Sequence, residues 1–177
     1  MSFNEWYTIM EETEGLPDAR EFEYLACVLH IASQKELLRA GQRFMLENTG
    51  SLLPPFWTGR AHHMIVKYRP NNKDMEDFKA KFGRVFMLDV LAIGYDERCV
   101  AAVVKGMEST QPVPHITIAH SPEVSTVYSN ELLADRSKWR RFLEISQMYT
   151  YFLAVKRDGS TWPSMPAQLA SAAPLLK

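Results

Sequence analysis

The chain has 177 residues, 46% of them hydrophobic and 23% charged, with a formal net charge of −1. That balance belongs to a globular α/β chain long enough to bury a core, and it excludes disordered and fibrous proteins. It also argues against a protein that grips long duplex nucleic acid, since phosphate neutralisation by a basic face supplies most of that affinity.

Cys27 and Cys99 both lie in apolar runs and read as small buried hydrophobes, with no histidine near them at metal-ligand spacing. No metal site is therefore expected. The acidic start, MSFNEWYTIMEETEG, lacks the basic and apolar regions of a signal peptide, and no run reaches membrane-spanning length. A cytoplasmic protein without a membrane partner is the expectation.

The first element is the continuous apolar run from Tyr24 to Ile31, of strand length. Ser33 to Glu36 then fits a capping box, with Leu37, Leu38, Gly41, Phe44 and Met45 recurring at helical spacing behind it. Residues 48–59, with Gly50, Pro54, Pro55 and Gly59, read as a loop that also carries Phe56 and Trp57. A strand is expected over Arg60–Tyr68, and a short helix over Asn71–Phe82 with Gly83 past its end. Val85–Ile93 and Cys99–Lys105 form a hairpin around Gly94–Arg98, and Pro114 introduces a strand over His115–Ala119. Residues 130–147 are expected to be part helix, and Tyr151–Lys156 a final strand. No composition shift divides the chain, so one domain is expected, its core over 21–157 and a tail over 158–177, either packed or loose.

One internal echo stands out. His63-Met64-Ile65-Val66 and His115-Ile116-Thr117-Ile118 share the order histidine, apolar, a third residue, apolar. Side chains alternate along a strand, so His63 shares a face with Ile65 and Lys67, and His115 with Thr117. Were the strands close, both histidines would project into one groove. Two histidines suit phosphodiester cleavage, one neutral as base and the other charged as acid, without a metal.

These motifs resemble the 2H phosphoesterase superfamily, defined by two His-x-Thr/Ser-x motifs. Ala61-His62-His63-Met64, Gly94, Pro114-His115-Ile116-Thr117-Ile118-Ala119 and Ser129-Asn130 look more particularly like the cyclic phosphodiesterase domain of fungal and plant tRNA ligases, with stand-alone relatives in phages. The resemblance runs from about Glu23 to Asn130. It implies an α+β fold, duplicated and bilobal, with antiparallel sheets around a central cleft and helices outside. It implies that His63 and His115 are the acid–base pair and Thr117 a phosphate donor. The implied substrate is a 2′,3′-cyclic phosphate RNA end, a cyclic nucleotide or a cyclic oligonucleotide, handled without cofactor by a monomer or weak oligomer. For a phage protein the setting would be the host cytoplasm and the role anti-defence.

In one place the pattern departs. The first motif holds Ile65 where the family has threonine or serine. Either Lys67, Ser129 or Tyr128 replaces that donor, or the site binds a nucleotide without cutting it. His30 and His120 read as structural, and His62 is expected on the opposite side of its strand from His63. Trp57 and Tyr68, with Phe56, are candidates for stacking on a base. Arg60, Lys67 and Arg69 either steer a phosphate or form a solvated rim.

Overall fold

A computed structural model describes residues 15–141, 145 and 147–165. The acidic N-terminal stretch, Phe142 and Leu143, and most of the C-terminal tail lie outside those residues.

Among the described residues, nine strands and three α-helices make up the architecture. The strands are β1 (Phe22–Leu29), β2 (Thr58–Gly59), β3 (His63–Tyr68), β4 (Val85–Tyr95), β5 (Cys99–Lys105), β6 (His115–His120), β7 (Trp139–Arg141), β8 (Gln147–Lys156) and β9 (Thr161–Trp162). The helices are α1 (Ile31–Thr49), α2 (Asn72–Asp77) and α3 (Tyr128–Ala134). All described strand pairs are antiparallel, in the order β7-β4-β5-β6-β3-β1-β8-β9, and β4 also pairs with β8. That last pairing closes β4, β5, β6, β3, β1 and β8 into a six-stranded barrel, so the chain is a sheet-rich α+β protein.

Alternation sorts the side chains. Leu25 and Cys27 of β1, Met64 and Val66 of β3, Val100 and Ala102 of β5, Ile116 and Ile118 of β6 and Phe152 of β8 join one buried cluster. With Leu88 and Ile93 of β4 in the same cluster, all six walls contribute, and such residues can meet only inside the barrel. Leu37, Ala40 and Phe44 of α1 join the same cluster, so this helix lays its apolar stripe against the inward face. Outward-facing residues form two smaller clusters, Ala26, Val28, Tyr151, Leu153 and Val155 on one flank and Ala101, Val103, Leu132 and Leu133 on the other. The strand with His63 and the strand with His115 run between them.

Several sequence expectations need correction. The capping box at Ser33 and Glu36 does not form. β1 stops at Leu29, and His30 caps α1, its Nδ1 accepting from the Ala32 amide at 3.2 Å. Ser33 is buried inside the helix, its Oγ accepting from the Tyr149 amide at 3.1 Å. The helix begins three residues earlier because a histidine nitrogen serves as well as a hydroxyl. A capping box does form at Asn71 and Asp74 of α2, and the expected helix there breaks after Asp77 into a short 3₁₀ turn, with Gly83 at φ 75°. The strand over Arg60–Tyr68 is interrupted at Arg60–His62, where Ala61 has φ 44°. Ser129 and Tyr128 stand in the first turn of α3 rather than in a loop.

Candidate active site

The interruption before β3 shapes the site. The Ala61 amide donates to the Thr117 carbonyl at 2.8 Å, whereas the next register pair is Met64 with Ile116. His62 and His63 are therefore two extra residues on this strand, facing a single step of β6. Such a bulge bends the strand and re-aims its side chains. Alternation consequently fails here, and His62 does not point away from His63 as expected. The two Nδ1 atoms lie 2.9 Å apart with the rings edge to face.

Beyond the bulge the Met64–Ile116 register sets Ile65 beside His115, on the outward face that Thr117 shares. His63 and His115 thus come from adjoining strands and the same side of the sheet. Tyr24 of β1 stacks on the His63 ring at 4.9 Å between centroids. Burial holds the His63 pKa down to about 3, assisted by the charges of His62, His115 and Arg60. Burial, then the charge of Arg60, lowers His62 to about 4. His115 is lowered by burial, and its hydrogen bond to the Val113 carbonyl opposes that shift.

His115 belongs to a defined network. Its Nδ1 lies 2.7 Å from the Val113 carbonyl oxygen, which can only accept, so Nδ1 carries a hydrogen. Its Nε2 lies 2.8 Å from Ser129 Oγ. Ser129 is fully buried, accepts from Thr117 Oγ1 at 3.0 Å and donates to the Thr126 carbonyl at 2.7 Å. With the serine hydrogen on Thr126, Nε2 must donate, which requires the imidazolium. For a neutral ring the serine turns its single hydrogen to Nε2 instead. One hydroxyl rotation therefore accommodates both protonation states of His115.

The remaining candidates fall at different distances from this centre. Lys67 Nζ pairs with Asp74 of α2 at 3.5 Å. Tyr68 is exposed, donates to Glu23 at 3.3 Å and carries the Arg69 guanidinium over its ring. Trp57 packs, partly buried, against the main core. The Ile65 carbonyl accepts from Ser109 Oγ at 2.7 Å, which ties the 106–113 segment to the first histidine strand. His120 is buried and bonds the Ser121 carbonyl through Nδ1. Arg60, in the interruption, has a buried Nε with no hydrogen-bond partner among the described residues. No group of three histidine, cysteine, aspartate or glutamate side chains among those residues is placed to hold a metal ion. Sequence reasoning missed the contact of His62 with His63 and the Val113 carbonyl behind His115. The doubled histidine and Pro114 were visible signals, but neither reveals a bulge.

The family model described as "Fungal tRNA ligase phosphodiesterase domain" matches residues 54–151. That span takes in both histidine strands, the β4–β5 hairpin, α3 and the start of β8. Among solved structures, one titled "Crystal Structure of Fungal RNA Kinase" is similar at 13% identity and a TM-score of 0.47, over 80% of this chain and 47% of that one. The chain thus spans about half the length of that relative. No curated protein matches. The class defined here is a phosphoesterase-type domain. In particular, the chain belongs to the fungal tRNA ligase phosphodiesterase domain family.

Proposed function

We propose that this protein hydrolyses a 2′,3′-cyclic phosphate at an RNA end, without a metal, using His63 and His115 as the acid–base pair. The observation that carries this reading is the pair of half-buried histidines on one face of adjoining strands, within the matched family region.

His63, held neutral, removes a proton from the attacking water, whose oxygen bonds to phosphorus. The bond from phosphorus to one ribose oxygen breaks, and the imidazolium of His115, its Nδ1 hydrogen held by the Val113 carbonyl, turns its Nε2 hydrogen from Ser129 to that oxygen and delivers it. The low pKa of His63 belongs to the free protein. An anionic phosphate between Arg60, His63 and His115 reverses the charge contribution and raises the basicity of both rings. Arg60 supplies donors to the phosphate oxygens, standing in for the hydroxyl that Ile65 lacks, and Thr117 adds one when its hydroxyl turns from Ser129. Trp57 and Tyr68 border the bases. We read the barrel as the two lobes of a duplicated 2H fold joined edge to edge, with the histidine strands at the seam. We infer a cytoplasmic protein of one domain, a monomer or weak oligomer. No described helix is long and apolar enough to cross a membrane.

Ile65 favours a second reading, a site that holds a cyclic nucleotide without cutting it. The deciding assay incubates chelator-treated protein with RNA ending in 2′,3′-cyclic phosphate, 2′,3′-cyclic mononucleotides and cyclic di- and trinucleotides. Consumption of the cyclic-phosphate RNA by wild-type protein, lost by at least about 100-fold in His63→Ala and in His115→Ala, is the expected result. A nucleotide that is retained and recovered intact, with nothing consumed, would establish the binder instead.

A further inference from the structure

His63 has a partner that the second motif does not need. His115 sets its Nδ1 against the Val113 carbonyl, an acceptor that cannot change role. In the corresponding place His63 meets the Nδ1 of His62 at 2.9 Å. Two neutral imidazoles share one hydrogen across such a contact, and the bond can run either way. If His62 donates, the hydrogen of His63 sits on Nε2, and that nitrogen cannot take a proton. If His63 donates, Nε2 keeps its lone pair. It is then the nitrogen available to the substrate, since it has no hydrogen-bond partner among the described residues.

Only the second arrangement survives a catalytic cycle without rearrangement. When His63 takes a proton on Nε2, its Nδ1 hydrogen stays on His62, and the bond gains strength as the donor becomes charged. In the first arrangement the imidazolium would face His62 hydrogen against hydrogen. The geometry of His62 is fixed independently of this choice. Its carbonyl accepts from the Leu29 amide at 2.8 Å, and the left-handed Ala61 turns the chain just before it.

We propose that His62 is a positioning residue that accepts the Nδ1 hydrogen of His63 and so holds His63 as the tautomer able to work as a base. This rests on the catalytic reading of His63 above. A doubled histidine thereby does for the first motif what a backbone carbonyl does for the second.

The test uses whole protein labelled with ¹⁵N in its histidines, at neutral pH, beside steady-state kinetics on cyclic-phosphate RNA. The wild-type protein should show His63 hydrogen on Nδ1. In His62→Phe it should move to Nε2, and kcat should fall by about 10- to 100-fold with KM little changed, as for other residues that orient a functional imidazole. His62→Asn, whose amide oxygen can accept in nearly the same place, should restore the tautomer and most of kcat. Hydrogen on Nε2 of wild-type His63 overturns the proposal, as does His62→Phe with tautomer and kcat unchanged. Should His62→Phe not fold, the wild-type tautomer and the asparagine variant still decide. Nδ1–H on His63 in a protein that consumes no substrate would sink the hydrolase reading while leaving the orientation intact.

Discussion

Ile65 is the residue at which this chain departs from its family pattern, and its position makes the departure testable. It lies beside His115 on the outward face, where a threonine hydroxyl would look toward the same space as Thr117. Losing one such donor commonly reduces turnover by two to three orders of magnitude. Ile65→Thr should therefore raise kcat on cyclic-phosphate RNA by at least about 10-fold if Arg60 only partly replaces the hydroxyl. An unchanged kcat would mean that Arg60 or another group already carries the full load. Lys67 is poorly placed for that task, because Asp74 holds its ammonium group.

At the scale of elements, α1 and β6 meet at a point that allows no added carbon. A Cβ at Gly41 would lie 2.7 Å from Ile118 Cγ2, one residue beyond Thr117. Alanine improves helix propensity by up to about 1 kcal/mol, but overpacking a core costs about 1–3 kcal/mol. Gly41→Ala should lower stability on balance, measured by urea denaturation, and a more stable variant would show that Ile118 yields freely. Most elements were legible because their periodicity survives in the barrel. β1, α1, the β4–β5 hairpin and the His115 strand all follow it within a residue or two. Ser33 misled because its spacing to Glu36 imitates a cap, while His30 took the role through a ring nitrogen. The short strands β7 and β9 gave no signal, since two or three residues carry no period. At the candidate site, the echo anticipates that His63 and His115 stand on adjoining strands, and the resemblance singles out Thr117 and Ser129, which bond one another beside His115. The bulge was not, because register is a relation between two strands and a single segment does not encode it.

For the whole molecule the cluster of depressed histidines sets an acid limit. His62, His63 and His115 are all held below the ordinary histidine value of 6.5, the first two at about 4 and 3. The unfolded chain therefore binds more protons than the folded one below pH 6.5, and stability falls as pH falls. Their contribution is complete above that value and is lost progressively down to about pH 4 and below. Urea titrations at pH 7 and pH 5 should differ by on the order of 4 kcal/mol, with the difference about halved in His62→Asn. Equal stability at both values would place the imidazoles in water.

The closed ring of strands has one more consequence. His63 and His115 are 52 positions apart in the chain but are carried by neighbouring walls of the same barrel. The gap between the strands that carry them is governed by the spacing of hydrogen-bonded neighbours, about 4.8 Å, and the bulge before Met64 sets where His63 stands within it. The loop bearing Trp57 and the segment bearing Ser109 can change in length or composition while the spacing of the two histidine strands stays where the backbone put it.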